Sequence, residues 1–135
     1  MNKVDTGKLK RLYFKATGNS KVGMGHITRT IAVAEMVKNH FTCVFLVYSD
    51  EISSEILRLK GFEIKEIPKG LKWEEEAEVI SQLLARKATI LIDGYEYDDT
   101  YFKTLKSFGH KVIYISDFDK EKKSVDLLIN HAVDQ

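Results

Sequence analysis

Short apolar runs rich in β-branched and aromatic residues alternate along this chain with stretches whose apolar residues recur every three or four positions. That alternation leaves few folds open. Thr42 to Tyr48, TCVFLVY, and Ala88 to Asp93, ATILID, are continuous apolar segments, the pattern of strands covered on both faces, as in a parallel sheet. Between such runs lie helical patterns, and strands alternating with helices imply βαβ units, right-handed crossovers and a three-layer α/β/α sandwich. The expected fold class is therefore Rossmann-like, with a mainly parallel sheet.

Residues 1–10 are polar and unpatterned and are set aside as an extension, leaving one domain over 11–135 with no internal repeat or linker. Arg11 to Ala16 reads as the first strand, with Leu12 and Phe14 on one face and Tyr13 on the other. From Met24 the spacing is helical through Ile27, Ile31, Ala34 and Val37, ending near His40. After the TCVFLVY strand, Ser49 and Asp50 are candidate caps for a helix whose stripe is Ile52, Ile56 and Leu59, closed by Lys60 and Gly61. Phe62 to Ile67 alternates with charge and belongs at a sheet edge. Pro68 and Gly70 mark a loop. The next helix carries Glu74, Glu75 and Glu76 in its first turn, where negative charge suits the dipole, and Trp73, Ala77, Ile80 and Leu84 on one face. Asp98 or Asp99 caps a helix ending at Phe108 and Gly109, Lys111 to Ser116 is a fifth strand, and Asp126 to Asn130 a sixth.

The bulk numbers narrow the function. A net charge of +1, with Lys and Arg spread along the chain, offers no field for nucleic acid. No segment approaches the length of a membrane helix or an export signal. The single cysteine, Cys43, lies in an apolar run and reads as a buried side chain in a reducing cytoplasm. A soluble, cytoplasmic protein is expected.

In a doubly wound sheet, ligands bind outside the carboxyl ends of the strands where strand order reverses. The polar residues placed there are Thr17 to His26, Ser49 and Asp50, Asp93 to Tyr95, and Asp117 to Asp119. The glycine turn NSKVGMGHITR, from Asn19 to Arg29, runs into a helix start, where free N–H groups and a positive dipole end favour a polar ligand. It is not a P-loop: Gly18 and Gly23 have the spacing, but Met24 and Gly25 stand where lysine and Ser/Thr are required. Nor is it the dinucleotide fingerprint, since Thr28 takes the place of the third glycine. His26, at a dipole end that disfavours the imidazolium, suits general-base work near neutral pH, against the plainer reading of an exposed loop histidine. His40 and His110 fall at element ends and read as solvated. Asp93 either orients His26, holds a sugar hydroxyl or caps the next loop. Tyr95 offers a hydroxyl and a stacking face, or simply packs over the sheet end. Arg29 reaches a phosphate, a neighbouring acid such as Asp93, or solvent. Asp50 reads as a helix cap rather than a ribose ligand. Asp117 and Asp119 have no His or Cys beside them and read as turn carboxylates rather than a metal pair. No metal and no cofactor are implied.

Val22 to His26 followed by Arg29 resembles the G-x-G-H-x-x-R signature in the N-terminal domain of the UDP-sugar hydrolases of pseudaminic acid biosynthesis, a family that includes spore-coat polysaccharide biosynthesis proteins and shares the two-domain GT-B glycosyltransferase fold. Ile92 to Tyr95 is similar to the family's Asp-x-Tyr, Ile115 to Asp119 to its acidic turn, and Asp126 to Asn130 to its closing strand. The resemblance spans Leu12 to Asn130. It implies a metal-independent hydrolase half in which His26 activates water against the anomeric carbon of a UDP-linked acetamido deoxysugar, releasing UDP. Ser20, Gly23, Gly25, Arg29, Asp93, Tyr95 and Asp117 would bind substrate. Two departures stand out: Lys15-Ala16-Thr17 replaces the family's Arg-x-Asp, and Gly94 replaces a bulkier residue. The family's second domain, which supplies most of the uridine and diphosphate pocket, has no counterpart here, so a GT-B-type partner domain in cis or trans is expected, with little activity without it. The alternatives are a glycosyltransferase acceptor domain and a non-catalytic sugar- or partner-binding module.

Overall fold

The computed structural model describes residues 9–16, 24–49, 52–94, 96–116 and 124–130, with only the backbone of Met24, Ser116 and Asn130. Six strands, β1 (Lys10–Ala16), β2 (Phe41–Tyr48), β3 (Glu63–Ile67), β4 (Thr89–Asp93), β5 (Lys111–Ser116) and β6 (Leu127–Asn130), form one sheet in the order β3-β2-β1-β4-β5-β6, and every pairing is parallel. The helices are α1 (Met24–Val37), α2 (Ser53–Leu59), α3 (Trp73–Leu84) and α4 (Asp99–Ser107).

Alternation along each strand divides the core into two layers. Leu12, Phe14, Ala16, Cys43, Phe45, Val47 and Leu91 pack with Ile27 and Ala34 of α1 and Leu57 of α2. Tyr13, Val44, Leu46, Ile90, Ile92 and Val112 pack with Ala77, Ile80 and Leu84 of α3 and with Tyr101, Phe102 and Leu105 of α4. This is the three-layer Rossmann-like sandwich, and its strand order reverses between β1 and β4. Burial pushes the Cys43 thiol above its ordinary pKa, as expected of an inert core cysteine.

Both short helices end as their glycines require. After α2, Gly61 (φ +85°) donates to Arg58 O at 3.0 Å and Phe62 donates to Leu57 O at 3.1 Å, the paired bonds of a Schellman ending. After α4, Gly109 (φ +93°) donates to Lys106 O at 2.9 Å and His110 to Leu105 O at 3.3 Å; a Cβ on Gly109 would also stand 2.9 Å from Lys87 Cε.

Three local expectations are corrected. Helix α2 starts at Ser53, after an uncapped turn at Ile52, so Ser49 is not its cap; the Ser49 N–H bonds Ile67 O at 3.2 Å instead, prolonging the β2–β3 ladder. Asp50 lies outside the described residues. The face of α2 against the sheet is consequently Ser53 and Leu57, with Ile56 half-buried, whereas Leu59 is 83% exposed and Ile52 is also exposed. His110 is buried rather than solvated. Its Nδ1 accepts from Ala88 N at 3.1 Å, which leaves the proton on Nε2 to reach Ser81 Oγ at 3.1 Å, tying the end of α3 to β5. Asp98, in contrast, caps α4 as expected, accepting from Tyr101 N at 3.1 Å. His40 is exposed in the turn before β2, and β3 is a sheet edge.

Two measurements check this packing. Leu57→Ala is expected to cost roughly 2–5 kcal/mol, and Leu59→Ala to stay within about 0.5 kcal/mol of the parent, in urea unfolding; equal effects would contradict the assigned face of α2. Desolvation holds the His110 pKa below its usual value. The unfolded chain therefore binds the extra proton, and the stability contributed by neutral His110 is complete above about pH 6.5 and drains away as the pH falls below it. Carboxylates whose pKa is lowered, Asp126 beside Lys106 and Asp99 beside Ser124, act in a more acidic window. His110→Asn, which keeps an acceptor for Ala88 N, should flatten the decline of Tm between pH 7 and pH 5.

Candidate functional site

At the point of strand reversal, Ala16 at the end of β1 is in register with Asp93 at the end of β4. Alternation turns Asp93 toward the α1 layer, two residues on from Leu91. Helix α1 starts just beyond β1 and presents His26 and Arg29, three residues apart, on one side of its first turns. Both meet the Asp93 carboxylate. His26 Nδ1 lies 2.8 Å from Asp93 Oδ1, Arg29 Nη2 donates to the same oxygen at 2.6 Å, and Arg29 Nε donates to Oδ2 at 2.7 Å.

Burial gives these contacts their character. The Asp93 side chain is 0% exposed, while His26 keeps 12% and Arg29 18% of theirs. A carboxylate so placed needs a charged partner, and the two-pronged guanidinium contact supplies it. An ionised carboxylate only accepts, so His26 carries its proton on Nδ1 and a neutral ring has its lone pair on Nε2. The pair has the logic of a base held by an orienting acid. Thr30, buried on the next turn, donates back to His26 O at 3.1 Å and Ile27 O at 2.9 Å. Gly25 is exposed, and a Cβ built on it meets nothing within 4 Å, so the backbone beside His26 borders open space.

The site residues expected from sequence divide accordingly. His26, Arg29 and Asp93 come together, and Gly25 adjoins them. Of the alternatives for Asp93, the described contacts show the one that orients His26: Oδ1 meets His26 and Arg29, and Oδ2 accepts from Arg29. Arg29 takes the neighbouring acid among its alternatives. Ser20, Gly23, Tyr95 and Asp117 lie outside the described residues, as do Asp119 and His131. Among the described residues no group of three His, Cys, Asp or Glu side chains is placed to hold a metal, and no helix is long and apolar enough to cross a membrane. A separate cleft of about 650 Å³ lies at the amino end of the sheet, lined in part by Lys10, Arg11, Arg86 and Lys87. Arg11 is bound there to Glu63 at 2.9 Å, and Arg86 and Lys87 follow the carboxyl end of α3, where cations complement the dipole.

A second polar cluster lies on the other face of the same carboxyl edge, and nothing in the sequence reading had set it apart as a group. Lys15 is fully buried; its Nζ donates to Tyr97 Oη at 3.1 Å and stands 4.3 Å from the centre of the Tyr48 ring. Glu76, expected as a first-turn acid that suits the helix dipole, is buried and accepts from Tyr48 at 2.7 Å and Tyr101 at 2.8 Å. Desolvation, with Glu76 adding to it, holds the Tyr101 phenol well above its ordinary pKa, so it remains a donor. Two signals were available: Lys15 falls on the inward row of β1 two residues after Tyr13, and Glu76 lies on the stripe that joins Trp73 to Ile80.

Asp93→Asn is expected to lower stability by about 3 kcal/mol, because Arg29 would keep its charge in a largely enclosed place without a carboxylate. An unchanged urea midpoint would mean that the contact is not formed in solution. No known family model, curated protein or solved structure matches the chain.

Proposed function

We propose that this chain is the acceptor-side half of a sugar-nucleotide hydrolase in which His26 is the general base on water. The observation that carries the reading is the 2.8 Å contact between His26 Nδ1 and the buried Asp93. It is supported by the position of that pair at the start of α1 and the end of β4, beside the strand reversal where doubly wound sheets take their ligands.

The chemistry follows from the ring's orientation. With Nδ1 donating to Asp93, Nε2 takes a proton from water as the oxygen closes on the anomeric carbon of a UDP-linked acetamido sugar, and the bond to the diphosphate breaks with inversion. Asp93 stabilises the imidazolium that forms, and Arg29 holds Asp93 in place meanwhile. UDP leaves as a good anionic leaving group, so the step asks for no acid on this half. The nucleotide is held by a second GT-B-type domain, and this half contributes the sugar side of the cleft. The work belongs to cell-surface polysaccharide biosynthesis in the cytoplasm.

The test is turnover in a protein that pairs this chain with a nucleotide-binding domain. His26→Asn should lower kcat by about a hundredfold or more with the fold intact, since a positioned base contributes that much. Little change would make the histidine structural. Transfer of the sugar to a hydroxyl acceptor instead of water would assign the same base to a glycosyltransferase, and tight binding of UDP by this chain alone, in calorimetry, would contradict the division of labour between the halves.

A further inference from the structure

Lys15 is a costly residue to place where it is. An ammonium withdrawn from water needs compensation from fixed partners, and aromatic groups are among them here: the face of Tyr48 at 4.3 Å, the face of Tyr97 at 5.2 Å, and the Tyr97 hydroxyl at 3.1 Å. A methionine or leucine would fill similar space without demanding any of these directions. The charge therefore dictates where Tyr97 stands, and Tyr97 is four residues beyond Asp93.

We infer that Lys15 is a positioning residue for the Asp93–His26 pair, acting across the sheet through Tyr97. Chain geometry makes the connection. Strand β4 ends at Asp93, and Gly94 and residues 96–98 lie between it and the start of α4 at Asp99. Among the contacts that hold these residues, Tyr114 Oη donates to Gly94 O at 2.8 Å, Lys15 Nζ donates to Tyr97 Oη, and Asp98 caps α4. Lys15 is in register with Ile92 and the next residue, Ala16, with Asp93, so the ammonium is anchored to the strand that flanks the carboxylate. Tyr97 is in turn stacked on Tyr101, with ring centres 5.0 Å apart, and touches Trp73 at 5.0 Å. Movement of Tyr97 would move the chain immediately after Asp93. The carboxylate has little room for that, because it must satisfy three contacts of 2.6 to 2.8 Å at once.

The inference rests on the reading of His26 as the functional imidazole, but its test does not use hydrolysis. Tyr97→Phe removes the hydroxyl and keeps the ring; Lys15→Met removes the charge and keeps the stem. In the full chain, the Nδ1 proton of His26 is followed by NMR together with amide exchange at residues 96–98, with amides of β2 and β5 as controls. Both variants should speed exchange of the His26 proton and of the loop amides on the order of tenfold while the control strands keep their protection, a local loosening rather than a global one. Unchanged His26 and loop exchange in Tyr97→Phe overturns the inference, as does acceleration spread equally over β2 and β5. Should Lys15→Met fail to fold, Tyr97→Phe decides alone. Absence of sugar-nucleotide hydrolysis in the parent would sink the proposed function and leave this outcome readable.

Discussion

A single carboxylate, Asp93, joins the two halves of the sheet's functional edge. Buried without partners, it would cost several kcal/mol; met by Arg29 through two nitrogens and by His26 through one, it becomes a fixed point. Both partners belong to α1, so the contact sets the rotation and axial position of that helix more narrowly than the packing of Ile27 and Ala34 could. Apolar contact is roughly indifferent to small slides, whereas three hydrogen bonds to one carboxylate are not. The ion pair also spans the point of strand reversal, since α1 follows β1 while Asp93 ends β4. The same interaction thus closes the fold across its crevice and orients the imidazole beside it.

The rest of the edge follows the same division. Within the sheet the two layers are apolar and forgiving, but at its carboxyl end each face carries a cluster of charges and phenols. On the α1 face an acid is held by two cations or potential cations; on the α3 and α4 face a cation meets Tyr97 and Tyr48, and Tyr48 together with Tyr101 satisfies an acid, Glu76. Networks of this kind are directional and depend on every member being satisfied. At the amino end, Arg11 of the cleft is bound to Glu63, and Arg86 and Lys87 follow the end of α3.

How much of this was readable from sequence depends on the range over which each feature is encoded. Strands and most helices were legible because period and apolar runs are local, and their alternation pointed to a mainly parallel sheet. His26 and Arg29 were legible as neighbours because three residues on a helix share a side, and Asp93 stood out as the carboxylate closing an apolar run. The face of α2 was not legible: Ile52, Ile56 and Leu59 form a plausible stripe until a β-ladder bond from Ser49 delays the helix and turns Leu57 inward. His110 looked solvated because an element end is usually exposed, and only the return of α3 toward β5 encloses it. Lys15, Tyr48, Glu76 and Tyr97 come from four separate elements, and no spacing rule links residues 15 and 97.

The geometry also bears on what kind of base His26 can be. Arg29 takes Asp93 by its edge through both oxygens, which fixes the plane of the carboxylate and leaves the imidazole a narrow range of approach to Oδ1. Asp93 therefore contributes orientation and a settled tautomer, the property on which proton abstraction from a bound oxygen depends most steeply. An oriented imidazole of this sort does not itself distinguish water from a sugar hydroxyl, because either presents an O–H at the same distance. Under the proposed function, the choice between hydrolysis and transfer falls to the groups that would border Nε2.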